Sequence, residues 1–559
     1  MKKKIIGAAL GNCVHIGGVV HFLQLAEREG YETVFLGPAV SVDRFIEEIK
    51  AQRPTHAAVG YRLTPDNCRQ LLDDFCARVR AEGLDKTTTF VFGGIRPNAE
   101  LARACGLFSY ISDGSDDIDD SLAFLRGLDR ARAAERWPQT IVGRIEAKYP
   151  YPVLRHHVGL PSLEDTVAGI ARIAEAKVLD VISIGPDQNT QQFFFRPSQM
   201  DPAFDGAGGV PLRTEEDFRR LKAAAQTGNY PLLRCYSGTD DVLKFAQLLD
   251  ETIGNAWCAV PLCWYNELDG RGTRTIDASV VDAQALMRWH AARGIPVEMN
   301  EPHHWGLRDA HDVLPVVTSF LAAYNARACG VRDYIAQYMF NNPAMLSFNC
   351  DLARVLAMLE LTETLAGDDF RIYRQTRAGL PFLSGDLDVA KGQLAATTYL
   401  QLAVRPHIIH VVGYSEAEKA ATPDIVIESC RIVRGVIRSA LDGAPDLTAD
   451  AAVQARKRQL LEEAKYTLDF IKRRYAGVSA DPFADPAVIA DCVKKGILDA
   501  PHIVKNERFT GNLVTRMIDG HCAAVDEEGR ELTEAQRIGR LRLGAVLDAP
   551  AAQCRAAGH

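Results

Sequence analysis

The chain has 559 residues, 47% of them hydrophobic and 24% charged, with a formal net charge of −8. That length holds two or three domains of roughly 100 to 250 residues each, and no run reaches the roughly 18 consecutive apolar residues of a membrane helix, so no membrane span is expected. The mildly acidic balance, without basic clusters or interleaved aromatics, excludes an electrostatic footprint for nucleic acid and leaves a small molecule as the expected partner.

The opening MKKKIIGAALGNCVHIGG has a basic start and an apolar run. Asn12 and His15 interrupt that run and no small-residue cleavage site follows, so a signal peptide is not expected and a cytoplasmic location is. The 13 cysteines are odd in number and scattered, without CxxC or CxxxCxxC spacing. Reduced thiols are expected, and radical chemistry built on an iron–sulfur cluster lacks its ligands.

In chain order, strand IIGAAL leads through loop GNCVHIGG to helix VVHFLQLAERE. Strand YETVFLG, helix VDRFIEEIKAQ, strand HAAVGYRL, a further helix, strand TTFVFGG and a last strand–helix pair follow, to about residue 130. This alternation predicts a Rossmann-like (flavodoxin-like) α/β domain over residues 1–130 with a parallel sheet. Residues 131–148, charged and Ala-rich through Trp137, read as a helical connector. Eight strand-like runs then start near Val153, Val181, Pro231, Cys258, Pro296, Asp333, Phe370 and His407, separated by helical patterns. They predict a (β/α)8 TIM barrel over 149–440, with a doubly wound open sheet as the alternative. The Gly-rich stretch Asp205–Gly209 reads as either a mobile lid or a plain surface loop. Residues 441–559 read as a mostly helical extension with a short β-like tail, expected to serve a homodimer.

The loop GNCVHIGG has neither G-x-G-x-x-G spacing nor a P-loop lysine, and it places His15 at the sheet edge where ligands dock. An imidazole offered there suits an axial metal ligand. The segment resembles the cobalamin-binding domains of mutases and of methionine synthase, whose signature is D-x-H-x-x-G, then S-x-L, then G-G. His15 and Gly18 match the first element, Leu63 the second, and Gly93 and Gly94 the third. The resemblance implies His15 as the cobalt ligand, while Cys13 stands at the family's Asp and Tyr61 at its Ser. Loss of the Asp removes the hydrogen bond that raises the imidazole's basicity, and Tyr61 narrows the pocket for the nucleotide tail.

Residues 150–545 resemble the barrel subunit of glutamate mutase in motif order, including GIPVEMNEPHHWG and GVRDYIAQYMFNN. That family clamps substrate carboxylates with three arginines, whose planar forks match them bidentately. The resemblance puts Arg155 and Arg234 at two of those positions and Gln191 at the third. Tyr265 and Asn266 match the family's Tyr-Asn pair; Glu267 and Asp269, just downstream, are expected to supply the negative charge of a lost glutamate. Glu301 matches a strand-end glutamate, and Glu416 one that contacts the adenosyl ribose, with Val412 at the family's lysine.

The implied protein is an adenosylcobalamin-dependent isomerase rearranging the carbon skeleton of an amino acid. Tyr265, Glu267 and Glu301 are its candidate catalytic groups, and Arg155, Gln191, Arg234, Asn266 and Asp269 its candidate substrate ligands. The lost arginine and lysine beside added acids lead to the expectation of a substrate other than glutamate, with one carboxylate and a neutral or cationic far end. A corrinoid methyltransferase is the first alternative and a non-catalytic cobalamin carrier or sensor the second.

Overall fold

The β/α alternation of the first 130 residues folds into a five-stranded parallel sheet: β1 (Lys4–Leu10), β2 (Glu32–Val40), β3 (His56–Tyr61), β4 (Thr89–Gly94) and β5 (Phe108–Ser112). The strand order is β2-β1-β3-β4-β5. This is the flavodoxin-like order, whose direction reverses between β1 and β3, the place where ligands of such sheets bind. The helix Gly17–Arg28 lies close over the sheet because two strand positions lack a side chain. A Cβ on Gly7 would lie 2.8 Å from Val19 Cγ1, and one on Gly60 2.6 Å from Val19 Cγ2. A second core of Leu10, Phe45, Ile49, Phe75, Phe90 and Phe92 packs the helices Val42–Gln52 and Pro65–Ala81.

The computed structural model describes residues 3–114, 118–127, 137–441, 443–504 and 509–544, and the chain divides into two units, Met1–Arg136 and Trp137–His559. Most of the first half of the expected connector lies outside the described residues. Its second half is no spacer: the helix Ile141–Lys148 belongs to the second unit. There Ile141 and Ile145 pack with Val153, Val181, Leu232, Trp257, Ile335 and Ile408, an apolar plug.

All eight predicted strands of the second unit form: β6 (Val153–Val158), β7 (Val181–Ile184), β8 (Leu232–Cys235), β9 (Cys258–Val260), β10 (Val297–Met299), β11 (Asp333–Phe340), β12 (Arg371–Ala378) and β13 (Ile408–His410). They pair in parallel in the order β8-β7-β6-β13-β12-β11-β10-β9. This is a nearly closed barrel, consistent with the expected TIM architecture. No ladder joins β8 to β9, but Ala256 N donates to Leu233 O at 2.9 Å and Ser237 N to Ala259 O at 3.4 Å across that seam.

The C-terminal segment packs on the barrel. Val453, Leu460, Ala464, Leu468, Ile471 and Tyr475 of the helix Ala451–Tyr475 share a buried core with the barrel helices Val313–Ala328 and Phe348–Glu363. The β-like tail forms a hairpin, β14 (Thr515–Ile518) and β15 (His521–Ala524). No helix among the described residues is long and apolar enough to cross a membrane.

Candidate functional site

In the first unit, β1 ends in a loop at the switch point and presents His15 to solvent between the exposed Val14 and Ile16. Cys13 is buried beneath it, its Sγ 3.8 Å from His15 Nδ1 and accepting from Arg62 N at 3.4 Å. The thiol therefore sits against the nitrogen that an aspartate would hold, and Nε2 is the nitrogen left to face a ligand. Tyr61 is buried and donates through its hydroxyl to Asn12 Oδ1 at 3.0 Å. Asn98 Nδ2 ties the carbonyls of Tyr61 and Leu63, at 3.2 and 3.0 Å, fixing the end of β3. Nothing stands within 4 Å of a Cβ built on Gly17, Gly18 or Gly93, whereas one on Gly94 would meet Tyr61 O at 2.7 Å. An exposed imidazole flanked by apolar side chains, with open glycine surface around it, has the donor chemistry and clearance for a corrin face. Over Gly7 and Gly60, where strand glycines leave space, Val19 fills the room.

In the second unit, alternation along each strand decides what the barrel encloses. Above the apolar plug, the inward residues are polar. Arg155 and Arg234 are fully buried, and both turn to one carboxylate that sequence reasoning missed, Glu298 on β10. Arg155 Nη2 lies 3.5 Å from Glu298 Oε1 and Arg234 Nη2 3.1 Å from Oε2, which also accepts from Trp257 Nε1 at 2.6 Å. Burial pushes the Glu298 pKa up, but Arg234 and Arg155 outweigh it and hold the carboxyl below its ordinary value. Arg155 spends its remaining donors on Gln375 Oε1 at 2.8 Å, Ser183 Oγ at 3.0 Å and His157 Nε2 at 3.2 Å. Arg234 keeps Nε and Nη1 without partners, its guanidinium between the rings of Tyr236 and Trp257, 5.2 and 5.3 Å from their centroids.

Toward the C-terminal strand ends, the half-buried His157 and Tyr236 stack at 5.0 Å and hydrogen-bond, Tyr236 Oη to His157 Nε2 at 3.0 Å. His410 meets the His157 ring edge-on at 4.7 Å. Burial first, then Arg155 and Arg377, drive the pKa values of both histidines well below the ordinary range, so both are neutral. Arg155 and Arg234 are thus a buried layer beneath a neutral His–Tyr layer. Arg377 belongs to the same interior, since β12 and β13 pair it directly with His410.

The other predicted residues are brought elsewhere. Gln191 donates through Nε2 to Pro186 O at 2.7 Å, at the end of β7. Glu301 is buried and committed: it accepts from Leu262 N at 2.6 Å, Cys263 N at 3.0 Å and Trp305 Nε1 at 2.8 Å. Asn266 bridges its own turn, from Nδ2 to Cys263 O and from Leu268 N to Oδ1. Asp269 accepts from the backbone of Asn266 and Arg271 and lies 3.5 Å from Arg308 Nη2, while Glu267 caps the helix Ile276–Ala291 at Ile276 N, 3.2 Å away. The two acids expected to supply the charge of a lost glutamate are thus held at the start of that helix and beside Arg308. Tyr265, strained at φ +64°, sits edge-on to His304 at 5.3 Å with Arg271 over its ring, and burial pushes its hydroxyl pKa up. Glu416 faces His156 Nε2 at 3.1 Å and accepts from Gly413 N at 2.8 Å. The stretch Asp205–Gly209 is pinned rather than free, with Gly206 N donating to Asp187 at 3.0 Å and Asn189 to Asp205 at 2.8 Å. A signal for the missed residues was present: Arg155 and His157, Arg234 and Tyr236, and Gln375 and Arg377 are i, i+2 pairs on inward faces, and Glu298 is a lone charge in a buried strand.

No protein-family model matches the chain, and no curated protein sequence matches it significantly. Among solved structures, it is similar to a novel cobalamin-binding protein from Desulfitobacterium hafniense DCB-2, at 23% identity over 23% of this chain and 60% of that one, with a TM-score of 0.20.

Proposed function

We propose that this chain is an adenosylcobalamin-dependent isomerase that rearranges the carbon skeleton of an amino acid or amino-acid derivative. The observation that carries the reading is the barrel interior: two buried arginines sharing one glutamate under neutral histidines, at the strand ends where barrels of this kind place their chemistry. The exposed His15, backed by Cys13 at the switch point of the five-stranded sheet, supports the cofactor assignment. Bound there, the cofactor would supply a weak cobalt–carbon bond as a source of radicals.

The chain's own residues would do the rest. His15 Nε2 would hold the cobalt, with Cys13 setting the ring's orientation. Arg234, with two donors uncommitted, is the group best placed to meet a carboxylate, while Arg155 and Glu298 hold it in position. Pre-set donors of this kind need no reorganisation when charge arrives. The enclosing strands keep water from a reactive intermediate.

The substrate carries at least one carboxylate. The test is anaerobic electron paramagnetic resonance of the full chain with adenosylcobalamin, against a panel of amino acids and derivatives. A paramagnetic cobalt signal that appears only with one substrate, together with its isomerised product, supports the isomerase. Silence across the panel, with methylcobalamin instead demethylated by an acceptor, moves the assignment to methyl transfer.

A further inference from the structure

Inside the barrel, charges and donors do not balance. Three guanidinium groups, Arg155, Arg234 and Arg377, face inward against two carboxylates, Glu298 between the first two and Glu416, held at His156 and Gly413, within electrostatic reach of the third. The orphaned atoms of this interior are donors almost throughout: Arg234 Nε and Nη1, Arg377 Nε and Gln337 Nε2 are buried without partners, as are His157 Nδ1 and His410 Nδ1. His157 adds a donor of fixed sense. Its Nε2 faces an Arg155 N–H, which can only donate, so Nε2 accepts and the proton of the neutral ring sits on Nδ1. Buried donors without acceptors are costly, and a native site that keeps several of them is shaped for a group that brings acceptors.

Arg377 stands apart from the other two arginines. Arg155 and Arg234 lie fully buried under the His157–Tyr236 pair, whereas Arg377 is only partly buried. Its side chain makes no ion pair or hydrogen bond with another described residue. Its strand position pairs with His410, whose ring touches that of His157.

We propose that Arg377, with His410 and the Nδ1–H of His157, forms an oxyanion subsite at the C-terminal ends of β12, β13 and β6 that takes a carboxylate of the substrate. The subsite supplies from another strand the guanidinium that Gln191 does not, and it sets specificity for an anionic end. The assignment rests on the reading of the barrel mouth as the substrate site.

The test measures binding to the full chain without cobalamin, so its outcome is independent of whether the isomerase reading holds. Calorimetry compares glutarate, the neutral glutaramide and inorganic phosphate on the wild type, Arg377→Gln and Arg377→Lys. The wild type binds glutarate in preference to the other two. Arg377→Gln weakens glutarate by about 10- to 100-fold, the scale of one charged hydrogen-bonded contact, and leaves glutaramide unchanged; Arg377→Lys falls between, keeping the charge but losing the fork. In 15N-histidine spectra, glutarate shifts the His157 and His410 imidazole signals in the wild type and not in Arg377→Gln, and a urea unfolding midpoint equal to that of the wild type shows that the fold of the variant is intact. Glutarate binding that is absent from the wild type, unchanged in Arg377→Gln, or weaker than phosphate binding overturns the proposal.

Discussion

Replacing Glu298 by glutamine tests the central arrangement of the barrel. The carboxylate is fully buried and neutralises two arginines, 3.5 and 3.1 Å away. Removing one partner of a buried ion pair costs about 3 to 5 kcal/mol, because the remaining charge stays desolvated. Glutamine keeps the volume and can still accept from Trp257 Nε1, so the expected loss is near the lower end, about 3 kcal/mol, or roughly 150-fold in the unfolding equilibrium. Arg234→Met removes one of the two guanidinium charges while Glu298 keeps Arg155. The double variant should therefore lose less than the sum of the singles, by about 1 kcal/mol or more. Urea unfolding read by tryptophan fluorescence isolates this unit, since all five tryptophans lie at or after Trp137. The pH dependence has a fixed sign. Because the folded pKa of Glu298 lies below its ordinary 4.5, its stabilisation is complete above that value and is lost as pH falls through the folded pKa. The gap between wild type and Glu298→Gln should close on acidification. An unchanged midpoint for Glu298→Gln at pH 7, or strict additivity in the double variant, refutes the shared-carboxylate account.

Other expectations concern the first unit. Cys13→Asp places a carboxylate where the thiol now meets His15 Nδ1 and Arg62 N; cobalamin affinity, titrated by absorbance, should rise about 10-fold, and a fall would show that His15 does not ligate through Nε2. Gly60→Ala drives a methyl to within 2.6 Å of Val19 Cγ2 and should destabilise the helix Gly17–Arg28 by about 1 to 3 kcal/mol, seen as faster amide exchange that Val19→Ala partly reverses; unchanged exchange contradicts the close packing. Cys105 accepts a hydrogen bond from Cys76 Sγ at 3.1 Å, which lowers its pKa to about 6 against the opposing effect of burial. Iodoacetamide at pH 6.5 should therefore label Cys105 before Cys76, and about tenfold more slowly in Cys76→Ala; equal rates in the two proteins would remove the hydrogen bond as the cause.

Much of this protein is written locally. The eight strand runs from Val153 to His410, the β/α order of the first unit and the loop carrying His15 follow from periodicity and from glycine placement, which depend on neighbours in sequence. Arg155 and Arg234 were singled out by motif resemblance, not by periodicity. What only the tertiary structure decided is pairing between strands distant in sequence. It brings Glu298 between Arg155 and Arg234 and Arg377 beside His410. It spends Glu301, Asn266, Asp269 and Glu267 on the loops that hold them, and turns the supposed connector Ile141–Lys148 into part of the barrel's apolar floor. A charged residue looks the same in sequence whether it meets a ligand, a backbone amide or another charge, and barrel closure, by fixing which side chains share one interior, selects among these.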